Sequence, residues 1–374
     1  MKNLKRLIAF LLVLSFAIGS FSALAATTPK IAIDGTVMSI PASYGAPYID
    51  SANRTQVPIR AISEGLGLKV DWNQATSTAT INGNIKIKLG EKSITTPYGT
   101  VTMDTTAISK NGRTYVPIRF LANALGYDIS SSTSNGVFTV NIITKVSLNI
   151  SAAASLRNAM VAIQTLYQAQ KPNATLTFTY GASGTLQTQI EEGAKVDVFL
   201  SAATMNMDAL KTKGLLLDGS VKNLLGNKLV LIVPSSSKLT ISSFKDVANS
   251  SVKSVGLGLP LAVPAGQYAQ DVFEYYNVWD TVKAKAVFGS PVTQILTWVE
   301  TGNVDCGVVY YTDAAASSKV KVVATASEAS HTPIIYPAAI IKTSTHPVAA
   351  ADFINFLTSD EAIAIFKAYG FSIA

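Results

Sequence analysis

The chain has 374 residues, with 30 Lys/Arg against 23 Asp/Glu, two histidines and one cysteine, Cys306. A single cysteine excludes an internal disulfide, and His331 and His346 stand in no metal-ligand spacing, so no bound metal or other cofactor is expected. The formal charge of +7 is uneven: residues 1–26 hold three bases and no acid, residues 27–145 eleven against seven, and residues 146–374 sixteen of each. The basic excess thus lies at the N-terminal end, which excludes nucleic acid as a partner of the C-terminal part and leaves any small anion there to neutral dipoles.

Residues 1–26 begin Met-Lys-Asn-Leu-Lys-Arg, run apolar over residues 7–18 and reach Ala23-Leu-Ala-Ala26. A basic head, an apolar stretch too short to span a bilayer and small residues at the end read as a secretory signal. The signal has no cysteine near its cleavage point. The expectation is an exported protein, in a periplasm or at the outer cell surface, without a lipid anchor on an N-terminal cysteine.

Residues 27–145 contain a repeat. Arg54-Thr-Gln-Val-Pro-Ile-Arg60 returns 59 positions later as Arg113-Thr-Tyr-Val-Pro-Ile-Arg119, followed at equal distance by Leu66-Gly67 and Leu125-Gly126. Pro58 and Pro117 suit the first turn of short helices, and Gly67 and Gly126 suit their C-terminal ends. Alternating residues then resume strands at 70–72, 77–81 and 137–143. Arg60 and Arg119 are expected to tie each helix to its neighbouring strands. On these motifs the segment resembles the small duplicated α+β domain named after the N-terminal region of copper amine oxidases. The resemblance implies no amine oxidation, because that chemistry needs three histidines and a modified tyrosine in a separate catalytic domain. It implies a spacer, or a module that contacts the cell wall or envelope.

Residues 146–374 alternate strands and helices, the pattern of an α/β fold, and about 230 residues predict two lobes. Four strand-to-helix turns share one character. Residues 146–150 alternate as a strand, small residues 151–154 follow, and Ser155 stands where a helix N-cap belongs. The strand 175–180 leads through Gly181-Ala-Ser-Gly-Thr185, with Ser183 at the turn. The strand 255–259 leads to Val263-Pro-Ala-Gly266, where Ala265 and Gly266 carry the first free N–H groups after Pro264. Ser290-Pro-Val-Thr293 opens a fourth helix, with Ser290 as N-cap, Pro291 in the first turn and Val292 presenting its N–H. Tyr310 ends the apolar strand Val308-Val-Tyr310. Helix starts offer unsatisfied N–H groups to an anion, and in open α/β sheets such turns gather beyond the carboxyl ends of the strands.

The ordered motifs Ala152-Ala-Ala-Ser-Leu156, Gly181-Ala-Ser-Gly-Thr185, Asp197-Val-Phe-Leu-Ser201, Val263-Pro-Ala-Gly266, Gly307-Val-Val-Tyr310 and Ile365-Phe-Lys-Ala-Tyr-Gly-Phe371 resemble the molybdate-binding proteins of molybdate ABC importers. The resemblance covers residues 147–374 and implies a two-lobed, hinged periplasmic-binding-protein fold of type II. It puts the oxyanion ligands at Ser155 and Ser183 (hydroxyl and N–H), Ala265 and Val292 (N–H) and Tyr310 (hydroxyl). Two residues depart from the family's pattern: Gly184 follows Ser183 where a hydroxyl residue is common, and Arg157 adds a charge. A site made only of donors suits a fully ionised tetrahedral oxyanion and not a protonated one. The implied function is capture of molybdate or tungstate and delivery to a membrane permease, with lobe crossings expected near 227–233 and 332–339. The alternative is a wall or matrix interaction protein acting through its N-terminal repeat, with sulfate or nothing bound in the α/β part. An enzyme is not expected, since neither histidine pairs evidently with a serine.

Overall fold

The computed structural model describes residues 28–97 and 99–374; the expected secretory signal lies outside the described residues. The repeat folds back on itself. Strands Thr55–Pro58 and Arg113–Pro117 pair antiparallel with Val57 opposite Val116, flanked by Tyr115 opposite Pro58 and Pro117 opposite Gln56. Each signature strand therefore meets its own duplicate across a local two-fold axis. Both strands run into equivalent helices, Ile59–Gly65 and Ile118–Ala124. Ile59 and Ile62 in one, and Ile118 and Leu121 in the other, share a buried core with Val57 and Val116. Pro58 and Pro117 sit at the N-caps, one residue earlier than expected. Gly67 and Gly126 end the helices at φ of 78° and 75°, the left-handed region that a side chain resists. Arg60 ties its helix to the next strand through the carbonyl of Val70 at 3.0 Å. Arg119 is exposed and makes no equivalent bond among the described residues.

This unit docks on the α/β part. Asp34 accepts hydrogen bonds from the N–H of Thr144 (2.8 Å) and of Lys145 (3.1 Å), which pins the connection. Lys171 donates to the carbonyl of Leu125 at 3.0 Å and lies 3.3 Å from Asp352, and Asp128 accepts from the N–H of Val348. All these partners belong to the first lobe or its lead-in.

Each lobe is built on one mixed sheet. In the first, strand Val146–Ala153 is flanked by parallel strands Ala174–Gly181 and Val198–Leu200, and strand Ile335–Ile340 runs antiparallel beside the latter. The second repeats the plan: Val255–Gly258 lies between parallel strands Ala286–Gly289 and Cys306–Tyr310, with Leu229–Pro234 antiparallel beside the latter. The antiparallel strand of each lobe is the one the chain enters on crossing over from the other, so the sheets are mixed and not wholly parallel. The crossings run from strand Lys222–Gly226 into Leu229–Pro234, and from strand Val320–Thr325 back to Ile335–Ile340. These are the regions whose apolar runs flank polar residues in the sequence.

Candidate functional site

The strand from Val146 continues to Ala153, and Ser155 lies in a 3-10 turn, Ala154–Leu156, ahead of the helix Arg157–Gln170. Ser155 therefore does not cap that helix. Its Oγ lies 2.9 Å from the hydroxyl of Tyr336 instead. Ser183 is the first residue of helix Ser183–Glu191, and its Oγ accepts the N–H of Ala202 at 3.0 Å. Pro264 opens the helix Pro264–Tyr275, so Ala265 is its second residue and its N–H has no intrahelical acceptor. Pro291, and not Ser290, is the N-cap of helix Val292–Glu300, which makes Val292 the first residue with an N–H to offer. Tyr310 is the last residue of its strand and almost fully buried. Its hydroxyl has no hydrogen-bond partner among the described residues.

The lobes are shut on one another at these positions. The N–H of Gly184 donates across the cleft to the carbonyl of Ala262 at 2.9 Å, two residues after the first-lobe turn that holds Ala182. Helix Val292–Glu300 of the second lobe packs against the Ala154–Leu156 turn of the first. The rings of Tyr310 and Tyr336 lie 5.8 Å apart at 63°. All five expected residues are buried, Ser155 being the most exposed at 8%.

Hydroxyl and amide groups able to donate gather in this cluster. Asn227 Oδ1 accepts the N–H of Lys228 (2.8 Å), which fixes Nδ2 as the nitrogen facing Thr312 (3.0 Å) and Tyr336 (3.1 Å). Asn227 donates to the Tyr336 hydroxyl, which shares one further hydrogen bond with Ser155, and either oxygen of that pair can be its donor. The N–H of Ala202 occupies an acceptor site of Ser183, whose own proton stays free to donate. Burial holds the phenols of Tyr310 and Tyr336 well above their usual range, so both stay protonated donors. Tyr336→Phe is expected to weaken oxyanion binding about fivefold by calorimetry, because Ser155 loses its side-chain partner and one neutral hydrogen bond contributes about 1 kcal/mol.

Tyr336, Asn227 and Asp313 did not emerge from the sequence as site residues. Asn227 and Tyr336 fall within the two segments read as crossings, and that role hid the other. Asp313 follows Tyr310 by three residues, and its carboxylate accepts the N–H of Tyr310 at 3.3 Å. Burial pushes the Asp313 carboxyl up to about 7, against the pull of that hydrogen bond. Below about pH 4 the folded and unfolded chains both hold this proton. As pH rises from about 4 to about 7 the unfolded chain releases it first, so stability falls, and above about 7 the loss is complete. Denaturant titrations across that range should show the wild type losing up to about 4 kcal/mol relative to Asp313→Asn, taken from 1.36 kcal/mol per pKa unit. Parallel pH profiles for the two proteins would refute it.

The histidines lie elsewhere. His331 packs edge-on to the ring of Tyr268, and His346 Nδ1 lies 3.7 Å from Asp128 at the contact with the N-terminal unit. Ser155 and Ser183 are hydrogen-bonded to a phenol and a backbone amide, not to an imidazole.

Two lobes joined by two crossings and closed over inward-facing donors define a hinged solute-binding protein. The chain belongs to the bacterial extracellular solute-binding protein family, whose profile matches residues 148–372. Residues 33–140 match the copper amine oxidase N-terminal domain. The chain is 40% identical over 253 residues to the putative ABC transporter substrate-binding lipoprotein YvgL of Bacillus subtilis, covering 68% of this chain and 96% of that one. It is 35% identical over 262 residues to the molybdate-binding protein ModA of Haemophilus influenzae, covering 69% and 98%. Among solved structures, the substrate-binding domain of a putative molybdenum ABC transporter from Clostridium difficile is 42% identical, with a TM-score of 0.50 over 61% of this chain and 99% of that one. The periplasmic molybdate-binding protein of Azotobacter vinelandii, 23% identical with a TM-score of 0.56 over 61% and 99%, shares the fold.

Proposed function

We propose that this protein captures molybdate or tungstate between its two lobes, outside the cytoplasmic membrane, and delivers it to the permease of an ABC importer. Ser155, Ser183 and Tyr310 contribute hydroxyl donors, and Ser155, Ser183, Ala265 and Val292 contribute backbone N–H groups. The observation that carries this reading is the set of buried hydroxyls and helix-start N–H groups brought together where the lobes meet. Ser183 accepts the N–H of Ala202 and keeps its own proton to donate, Ser155 shares a single side-chain hydrogen bond with Tyr336, and the buried hydroxyl of Tyr310 has no partner among the described residues. A dianion without a proton to donate satisfies all of them. The molybdate-binding names of the relatives point the same way.

Charge-assisted hydrogen bonds contribute roughly 1.5–3 kcal/mol each. Six or seven of them exceed the roughly 8 kcal/mol of a micromolar complex even after several kcal/mol for closure and lost ligand freedom. No arginine is needed to neutralise the ligand. The anion bridges donors from both lobes and so stabilises the closed arrangement over an open one, which is how a permease distinguishes loaded from empty protein. Export through residues 1–26, to a periplasm or to the outer surface, completes the reading.

Isothermal titration with molybdate, tungstate, sulfate and phosphate tests it. Micromolar or tighter binding of molybdate and tungstate is expected, with weaker binding of sulfate and none of phosphate at neutral pH, where it retains a proton. Absence of heat with both molybdate and tungstate would sink the proposal.

A further inference from the structure

We propose that the cleft beside Trp72 in the N-terminal unit binds an acidic glycan. This inference rests on the protein lying outside the membrane, and it is independent of the oxyanion site. The duplication creates two clefts from matching residues. In one, residues 58–60 of the first copy face residues 111–114 of the second; in the other, residues 117–119 face residues 52–55, each set displaced by 59 positions. The first measures about 740 Å³ and the second about 310 Å³. Equivalent positions built the two, so their differences record what each has become.

The first difference is charge. In the smaller cleft Arg54 is neutralised: its Nε donates to Asp50 at 2.8 Å and its Nη1 to Asp104 at 3.2 Å. Its duplicate in the larger cleft is Arg113. The same two nitrogens donate there to backbone carbonyls, those of Ser43 and Asn111, both at 2.7 Å. Carbonyls fix the guanidinium in place without cancelling its charge, and its remaining N–H groups stay available in the fork geometry that suits carboxylate or phosphate. No Asp or Glu lines this cleft; Glu64 beside it balances Arg60 at 3.1 Å. The net result is one oriented positive charge.

The second difference is the wall. Where the smaller cleft has Ser131, the larger has Trp72, which is 38% exposed. Its indole N–H donates to Gln74 at 2.8 Å, which fixes the ring and leaves an aromatic face open. Phe138 occupies the smaller cleft where the equivalent position of the larger is Ala79. A fixed flat ring receives the C–H face of a sugar, Ser109, Asn111 and Gln74 offer polar groups at its rim, and Arg113 selects a negatively charged substituent. That combination fits a saccharide chain carrying carboxylates and disfavours a neutral one.

The test uses the full mature chain and short glycan-strand fragments of peptidoglycan stripped of their stem peptides by an amidase, which frees the lactyl carboxylate of each muramic acid ring, with neutral chitotetraose alongside. Calorimetry should detect the acidic fragments, with affinity falling as salt is raised, and chitotetraose should bind at least tenfold more weakly. Trp72→Ala should lose at least tenfold in affinity at an unchanged unfolding temperature. Arg119→Ala, in the matching cleft, should bind as the wild type does. The proposal is overturned by failure of the acidic fragments to bind, by equal binding to Trp72→Ala, or by equal binding of chitotetraose. None of these readouts involves molybdate, so a chain that binds the fragments and not molybdate contradicts only the oxyanion reading.

Discussion

Replacing Ser155 and Ser183 together with alanine is expected to weaken molybdate binding by about 10²–10⁴-fold, the sum of two charge-assisted hydrogen bonds of about 1.5–3 kcal/mol each. The two hydroxyls differ in what else they do. Ser155 shares a buried hydrogen bond with Tyr336, which also accepts from Asn227, so its removal takes one partner from that phenol next to the ligand. Ser183 also satisfies the buried N–H of Ala202. Its loss should therefore cost about 1–3 kcal/mol of stability in addition to affinity, since a buried donor is left without a partner. Calorimetry on the double variant, with its denaturation curve measured beside it, separates the two effects. An affinity within threefold of the wild type would remove both serines from the site.

The second large effect is expected at Gly184. A Cβ on this residue would stand 2.7 Å from the carbonyl oxygen and 2.8 Å from the Cα of Ala262, in the opposite lobe. These are backbone atoms, and neither can move aside as a flexible side chain does. The Gly184 N–H bonds to the same carbonyl, so glycine makes the contact and the room for it at once. Gly184→Val should hold the lobes apart, and because the anion needs donors from both, affinity should fall at least a hundredfold. The first lobe on its own has no clash, so the unfolding temperature without ligand should change little. Small-angle scattering with saturating molybdate distinguishes the outcomes. The wild type should compact and the variant should not, and a variant that compacts normally would show that the closed lobes tolerate the side chain. The residue that departs from the family's hydroxyl pattern is thus a closure contact in this chain.

Much of this protein is legible in one dimension. The 59-residue repeat, the alternation of strand and helix, and the four small-residue turns follow from local rules: periodicity, proline and glycine conformational limits, and the unsatisfied groups of helix ends. The helix after Ser155 starts one residue later than a cap at Ser155 would place it, because a local pattern does not register when a strand is prolonged by its neighbours in a sheet. The strand from Val146 runs three residues beyond its alternating stretch because Ser151, Ala152 and Ala153 pair with Thr179, Tyr180 and Gly181. That extension turned Ser155 from a helix cap into a hydroxyl facing Tyr336.

What the sequence could not contain is partnership across distance. Ser155 and Tyr336 are 181 residues apart, and Gly184 meets Ala262 only because the lobes close. The same holds for the repeat: its two copies are plain in the sequence, but their pairing at Val57 and Val116, and the two unequal clefts that result, are properties of the fold. The sequence by itself determined which turns carry donors. The tertiary structure decided which partners each hydroxyl meets, because those partners are rarely neighbours in the chain.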